Sequence, residues 1–152
     1  MRVWRISRAT HRDFDGEGAR LRGGRWNHPG TPIVYISSSL ALAALETLVH
    51  LVRFLPVRHL VAVPADIPDS VPIVPVRAAG LPRAWRAPSP PTALADIGTR
   101  WAEAGESAVL EVPSVIVPQE PNYLLNPRHQ HFKRIRIGRP EPFYFDPRFW
   151  KP

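Results

Sequence analysis

Apolar residues along the chain fall into short runs that predict β-strands. The run at residues 3–6 alternates apolar and polar positions, which is typical of a half-buried strand. Pro72 and Pro75 restrict the run at 71–76 to the edge of a sheet, because proline has no N–H to donate. The pattern predicts strands at residues 3–6, 33–36, 59–63, 71–76, 108–112, 132–137 and 143–145.

Two segments have helical spacing instead. The first begins after Ser38 or Ser39, either of which suits a helix N-cap, and runs to about Leu51 before Pro56. Its predicted buried stripe consists of Leu42, Leu45, Leu48, Val49 and Val52. Glu46 lies on the flank of that stripe. The second predicted helix spans residues 92–104 and places Leu94, Ile97 and Trp101 on one face.

Glycine and proline mark the loops. Residues 7–32 form a long predicted loop, a length that is usually functional or disordered in a compact domain. Residues 80–91 are proline-rich, and 122–127 are turn-rich. Strands outnumber helices in mixed order, so we predict an α+β fold and one domain over residues 1–152.

Composition supports a globular protein and excludes some chemistry. The 152 residues are 44% hydrophobic and 22% charged, and there is no cysteine, which excludes disulfides and thiolate metal sites. No apolar run approaches the roughly 20 residues that span a bilayer, and the N-terminus lacks a signal-peptide pattern. We therefore expect a cytoplasmic protein without membrane contact.

The net charge of +7 is unevenly distributed. Residues 1–25 and 128–152 are basic, whereas 26–127 are mildly acidic. This balance favours anionic partners such as nucleotides, nucleic acid or acidic proteins. No helix-turn-helix or zinc-finger pattern accompanies it, so we expect no direct nucleic-acid binding by this chain alone.

The stretch from Arg22 to Asn27, which reads RGGRWN, is the strongest local candidate for ligand binding. Its two glycines allow close backbone approach, its two arginines can hold phosphate oxygens, and Trp26 offers an aromatic face. A tight surface turn explains the same residues. No HExxH motif is present, and His129 and His131 could bind a metal only together with a distant carboxylate, so we expect no metal. No Walker or Rossmann phosphate loop is present either.

Several motifs together resemble the RES domain family. They are GGRWN at 23–27, IVYIS at 33–37, LALAALE at 40–46, VPS at 112–114, NYLLNP at 122–127 and FDPR at 145–148. The Arg, Glu and Ser that name the family map onto Arg25, Glu46 and Ser114. The family's Gly-Asp-x-Trp segment is present only as Gly98-Thr99-Arg100-Trp101.

The resemblance implies an ADP-ribosyltransferase-like fold, with mixed or antiparallel sheets around an NAD-binding cleft. It also implies the toxin of a bacterial type II toxin–antitoxin system, which arrests growth and pairs with an Xre-type helix-turn-helix antitoxin. Family activities divide between consuming NAD, by hydrolysis or phosphorolysis, and ADP-ribosylating a protein. We expect a homodimer within a larger toxin–antitoxin complex.

The resemblance also suggests roles for the catalytic candidates. Glu46 would stabilise positive charge on the ribose when the nicotinamide bond breaks. Arg25 and Arg5 would hold pyrophosphate or ribose oxygens. Without the resemblance, a helix-surface glutamate is the preferred explanation of Glu46, and solvent-exposed or ion-paired side chains explain the arginines.

Three further residues are candidates for contacts with NAD. Tyr35 would stack on nicotinamide or donate to the ribose, although a core aromatic explains it too. Ser114 would donate near the ribose or amide, and Asn122 would line the rim, although both also suit turns.

The acceptor of the ADP-ribosyl group stays open between water, phosphate and a protein. Glu46 lacks the Glu-x-Glu partner usual in arginine-specific transferases, which favours NAD breakdown as a glycohydrolase or phosphorylase. ADP-ribosylation of a protein is the alternative. A non-catalytic module that binds nucleic acid or the antitoxin is a second alternative.

Overall fold

The computed structural model describes residues 1–51 and 59–150, in which eight strands form one sheet. The strands are β1 (Arg2–Arg8), β2 (Val34–Ser37), β3 (Leu60–Asp66), β4 (Ile73–Pro75), β5 (Val109–Pro113), β6 (Pro121–Leu125), β7 (Arg136–Ile137) and β8 (Glu141–Phe143). The helices are α1 (Glu17–Arg22), α2 (Leu40–Leu51) and α3 (Thr92–Ala104). Short 3₁₀ helices lie at Ala9–His11, Ala78–Gly80, Gln130–Arg134 and Pro147–Trp150.

The strand order brings segments that are distant in sequence to the middle of the sheet. The order is β4-β5-β6-β2-β1-β3-β7, with β8 also paired to β3. Only the β4–β5 pair is parallel among these strands. Ser37 of β2 lies opposite both Trp4 of β1 and Asn122 of β6. The ends of β2 and β6 therefore meet beside the start of α2.

Strand alternation sorts the buried side chains into two clusters on opposite faces of the sheet. One cluster includes Val34, Ile36, Val63, Val109 and Leu125. The other includes Leu110, Val112 and Leu124 with Leu94 and Trp101 of α3. Neighbouring residues such as Leu124 and Leu125 belong to different clusters, as the two-residue period of a strand requires.

The structure confirms the α+β class and most predicted elements. Strands occupy the predicted runs from 3–6 to 71–76 and the run at 108–112, and both predicted helices are present. Ser39 is the N-cap of α2, because its hydroxyl accepts a hydrogen bond from the Leu42 N–H at 3.1 Å. In α3, Leu94 and Trp101 are buried and Ile97 packs against them.

Four predictions about local structure were wrong. The segment 121–125 is strand β6 rather than a turn. Only Tyr123, Leu124 and Leu125 are buried, on both faces of the sheet, so the strand lacks an alternating pattern, and the turn-forming residues around them determined the prediction. Residues 130–134 form a 3₁₀ helix, so only 136–137 of the predicted strand at 132–137 pairs in the sheet. Strand β8 lies at 141–143 rather than 143–145, and the loop 7–32 contains α1.

The predicted buried stripe of α2 was also wrong. Leu42 is buried, but Leu45 and Val49 are exposed, at 39% and 58% respectively. Val52 lies outside the described residues. The helix instead packs on β1 and β2 through the side that carries Leu42 and Ala43, which directs Glu46 into a cleft. Within the described ranges, no helix has the length and apolar character to cross a membrane.

Candidate functional site

A cleft of about 510 Å³ opens between α2, the β1–β2 region of the sheet and the loop that follows α1. Arg5, Arg25, Tyr35, Glu46 and Asn122 all line it, so five of the six predicted site residues meet there. Volumes of about 300–1,000 Å³ are usual for small-molecule sites. The cleft therefore has the dimensions of a ligand site.

Glu46 is the carboxylate of this cleft, and two side chains hold one of its oxygens. Oε1 accepts hydrogen bonds from the Ser114 hydroxyl at 2.8 Å and from Asn122 Nδ2 at 2.6 Å. In the part of the chain that the structure describes, no donor contacts Oε2. Hydrogen bonds to a carboxylate fix its orientation, so Glu46 presents its second oxygen in a defined position.

Ser114 lies behind Glu46 rather than on the cleft surface. It is completely buried, and its hydroxyl oxygen accepts from the N–H groups of Ile116 and Val117 at 3.1 and 3.0 Å. Its one hydroxyl proton is donated to Glu46. Direct donation from Ser114 to a ribose or amide stays a prediction, and the observed contact is with the carboxylate.

Arg25 closes one side of the cleft by bonding to a distant loop. Its two terminal nitrogens donate to the carbonyls of Trp85 and Ala87, at 2.8 and 3.1 Å. Burial lowers the pKa of the guanidinium, while the nearby Glu46 carboxylate acts in the opposite direction. Arginine remains protonated in proteins, so Arg25 brings a cation close to Glu46.

Tyr35 locks the glycine-containing loop in place. Its hydroxyl donates to Asn27 Oδ1 at 2.7 Å and accepts from the Trp26 N–H at 3.1 Å. A Cβ at Gly24 would lie 2.6 Å from this hydroxyl, so the loop needs glycine there. Burial raises the pKa of Tyr35 well above its usual value. The hydroxyl is therefore protonated and already engaged.

Asn27 extends the same lock, and sequence reasoning gave it no separate role. Its side-chain nitrogen contacts the carbonyls of Ala19, His28 and Thr31, each at 3.0 Å. Trp26, which we expected to offer an aromatic face, is 3% exposed and packs in the cluster with Trp101. Both residues directly follow two glycines. That position in the sequence was the available signal for a tight loop held by internal hydrogen bonds.

Arg5 reaches the cleft from β1. It donates to the Asp13 carbonyl and lies over the Phe14 ring at 5.4 Å from the centroid. Burial lowers the pKa of its guanidinium, and Asp15 and Asp13 act against this. Arg5 is therefore a second cation that lines the cleft, beside Arg25.

Two residues of the cleft had no role in the predicted reaction: Arg22 was expected only as one of the two arginines of the RGGRWN stretch, and Ser37 appeared only within a motif. Arg22 lines the cleft, and in the described ranges its guanidinium has no hydrogen bond or ion pair. Ser37 lines it too and donates to Asn122 Oδ1 at 2.7 Å. Only the β2–β6 register, which the sequence pattern missed, brings Ser37 to Asn122. No group of three metal-ligating side chains lies together among the described residues.

The fold and the site agree with a family comparison. A model of the RES domain matches residues 2–146, and the chain belongs to the RES domain family. This confirms the resemblance found in the sequence motifs.

Individual relatives match over nearly their full lengths. "Toxin Res" of Yersinia enterocolitica is 42% identical over 136 residues, which cover 89% of each chain. "Prs ADP-ribosylating toxin" of Sphingobium sp. is 42% identical over 153 residues, covering 95% of this chain and 94% of the relative. "Toxin Res" of Photorhabdus laumondii is 37% identical over 155 residues and covers 99% and 98%.

A solved structure shares the architecture. The M. tuberculosis MbcT–MbcA toxin–antitoxin complex contains a chain that superposes with a TM-score of 0.74 at 18% identity, covering 93% of this chain and 83% of that one. The expected α+β class is confirmed, and this chain shares its fold with a chain of that complex.

Proposed function

We propose that this chain is the toxin of a bacterial toxin–antitoxin pair and that it cleaves the nicotinamide–ribose bond of NAD. The observation that carries the proposal is Glu46, whose carboxylate is fixed by Ser114 and Asn122 and faces a cleft lined by arginines. Relatives that bear the name toxin, at 37–42% identity, support the biological role.

The chemistry needs a fixed negative charge at the ribose. When the bond from ribose C1 to the nicotinamide nitrogen breaks, its electron pair neutralises the pyridinium and the ribose becomes oxocarbenium-like. Glu46 stabilises that developing cation and binds a ribose hydroxyl. Its two hydrogen-bond donors hold it in place before the reaction, so no reorientation is needed at the transition state.

The cations of the cleft suit the two phosphates of NAD. Arg25 and Arg5 have N–H groups left after their backbone contacts, and Arg22 is unpaired among the described residues. Guanidinium groups bind phosphate oxygens through paired N–H donors. In this scheme NAD is the substrate, Tyr35 borders the nicotinamide end, and no metal takes part.

We propose water or phosphate as the acceptor, because Glu46 has no second acid two residues away on α2. Attack by water gives ADP-ribose, and attack by phosphate gives a phosphorylated ADP-ribose. ADP-ribosylation of a protein is the second candidate, and the Sphingobium relative named for that activity favours it.

For regulation, we propose an Xre-type antitoxin that covers the mouth of the cleft, in a complex that contains a toxin homodimer. The structural neighbour is itself a toxin–antitoxin complex, which supports a partner of this kind. Titrating a fluorescent NAD analogue into the purified complex tests the idea. If the complex binds the analogue as tightly as the free chain does, the antitoxin does not cover the cleft.

Turnover of NAD by the purified chain tests the reaction. The assay is run with and without phosphate, with products resolved by mass, on wild type, Glu46→Gln and Glu103→Gln. The Glu46→Gln side chain keeps an oxygen for Ser114 and Asn122 but loses the charge. We expect its rate to fall by roughly 100- to 1,000-fold, as for removal of one transition-state-stabilising group. Glu103, which is exposed on α3, is the matched control and keeps full activity.

If the wild-type chain turns over no NAD, cleavage with water or phosphate as acceptor is contradicted. Expression in bacterial cells without an antitoxin then separates the alternatives. Growth arrest that Glu46→Gln abolishes would favour transfer to a protein. Growth unaffected by the wild-type chain would favour a non-catalytic binding module.

A further inference from the structure

We propose that Ser37 is a positioning residue of the cleft, which orients Glu46 through the side-chain amide of Asn122. The proposal deepens the function proposed above and rests on it for its catalytic consequence. The relay of hydrogen bonds itself can be tested without any activity.

The relay is continuous and short. The Ser37 hydroxyl donates to Asn122 Oδ1 at 2.7 Å, and Asn122 Nδ2 donates to Glu46 Oε1 at 2.6 Å. Ser37 and Asn122 are directly opposed in the β2–β6 register, so the first bond crosses between neighbouring strands. Glu46 approaches from α2, which begins three residues after Ser37. The sheet therefore sets where the carboxylate is held.

Ser37 determines how firmly the Asn122 side chain holds the Glu46 carboxylate. Ser37 is 4% exposed, and within the described residues its hydroxyl is the one hydrogen-bond partner of Asn122 Oδ1. Hydrogen bonds in a chain polarise one another, so donation to Oδ1 strengthens donation from Nδ2. Without Ser37 the amide oxygen loses its partner, and the amide is free to turn away from the carboxylate.

The hydrogen bond from Ser114 cannot replace the one from Asn122 to Glu46. Ser114 approaches the same oxygen, Oε1, and is itself fixed by the N–H groups of Ile116 and Val117. A carboxylate held by one donor at one oxygen can rotate about its terminal bond, whereas two donors from different elements define its plane. Loss of Ser37 therefore disturbs the second oxygen of Glu46, which is the one available to substrate.

Nuclear magnetic resonance of the asparagine side chains tests the relay directly. The chain has three asparagines, at 27, 122 and 126, so ¹⁵N-asparagine labelling gives three side-chain amide pairs. We expect Ser37→Ala and Glu46→Gln each to shift the Asn122 pair while the pairs of Asn27 and Asn126 stay in place. An Asn122 pair unmoved by Ser37→Ala would overturn the relay, whatever the chain's activity.

Kinetics test the catalytic consequence. For Ser37→Ala we expect kcat for NAD cleavage to fall by about tenfold, the size of one lost hydrogen bond, with the KM for NAD within about twofold of wild type. Ser37→Thr restores the hydroxyl and most of the rate. Ser38→Ala, at a neighbouring residue with no side-chain hydrogen bond in the described chain, leaves the rate unchanged.

The decisive comparison uses Asn122→Ala as background. If Ser37 acts through Asn122, adding Ser37→Ala to Asn122→Ala has no further effect on kcat. Independent, multiplying losses would overturn the proposal. Should wild type cleave no NAD, the proposed function fails, while the Asn122 resonances still decide whether the relay exists.

Discussion

Gly98 of α3 offers a sharp test of how the site loop is supported. A Cβ built at this position would lie 2.0 Å from the Trp26 carbonyl oxygen and 3.1 Å from the Trp26 carbonyl carbon. Contacts of a Cβ below 3.0 Å are essentially never seen, so the helix or the loop must separate by about 1 Å in Gly98→Ala. Both sides of this contact are backbone, which cannot swing away as a side chain can.

The competing effects on stability have opposite signs. Replacing glycine by alanine inside a helix favours folding by about 0.8–1 kcal/mol. Overpacking of a close contact costs roughly 1–3 kcal/mol, and we take the upper end because backbone must move. The net destabilisation is then about 2 kcal/mol, or a fall in Tm of about 4–8 °C for a chain of this size.

Thermal unfolding followed by circular dichroism measures this shift, with Gly80→Ala as the control. An added Cβ at Gly80 meets nothing within 4 Å, so its Tm should not fall. A Tm of Gly98→Ala equal to or above that of wild type would show that helix propensity dominates. It would refute the close approach of α3 to the loop that carries Arg25.

Two further predictions concern Tyr35 and Tyr123. Tyr35→Phe leaves Asn27 Oδ1 and the Trp26 N–H without their observed partner, so urea denaturation should show a loss of about 1–3 kcal/mol; unchanged stability would contradict the locked loop. Burial, with a smaller effect of Glu111, raises the pKa of Tyr123 to about 12. An unfolded tyrosine releases its proton near pH 10, so above that pH the unfolded state is favoured and stability falls towards pH 12. Tyr123→Phe should flatten this fall, and an equally steep fall in the variant would contradict it.

The fold was largely predictable where local pattern and tertiary environment agree. Helix α3 followed from Leu94 and Trp101, and α2 began at its predicted serine cap. Prediction failed where the buried positions do not follow the usual period of a strand or helix. The central strand β6 lacks alternation because both of its faces are buried, and Leu45 is exposed because α2 turns Glu46 towards the cleft.

The candidate site was predictable as a set of residues but not as an arrangement. Motifs identified Glu46, Ser114 and Asn122, yet only the fold shows that the last two donate to the same carboxylate oxygen. The contact of Arg25 with the Trp85 carbonyl joins segments 60 residues apart, and no local pattern encodes such a pair.

The two edges of the sheet determine whether a strand of another molecule can pair with it. At the β4 end, the Val76 N–H bonds inward to Glu111, so Pro75, one residue earlier, occupies an outward-facing position and has no N–H to offer. At the other end, β3 is flanked by two short strands, β7 of two residues and β8 of three, and Pro142 of β8 has no N–H to offer. Neither edge is a good template for an incoming strand, a property that opposes fibre growth between copies. We therefore expect partners to recognise this chain through side chains and not by extending its sheet.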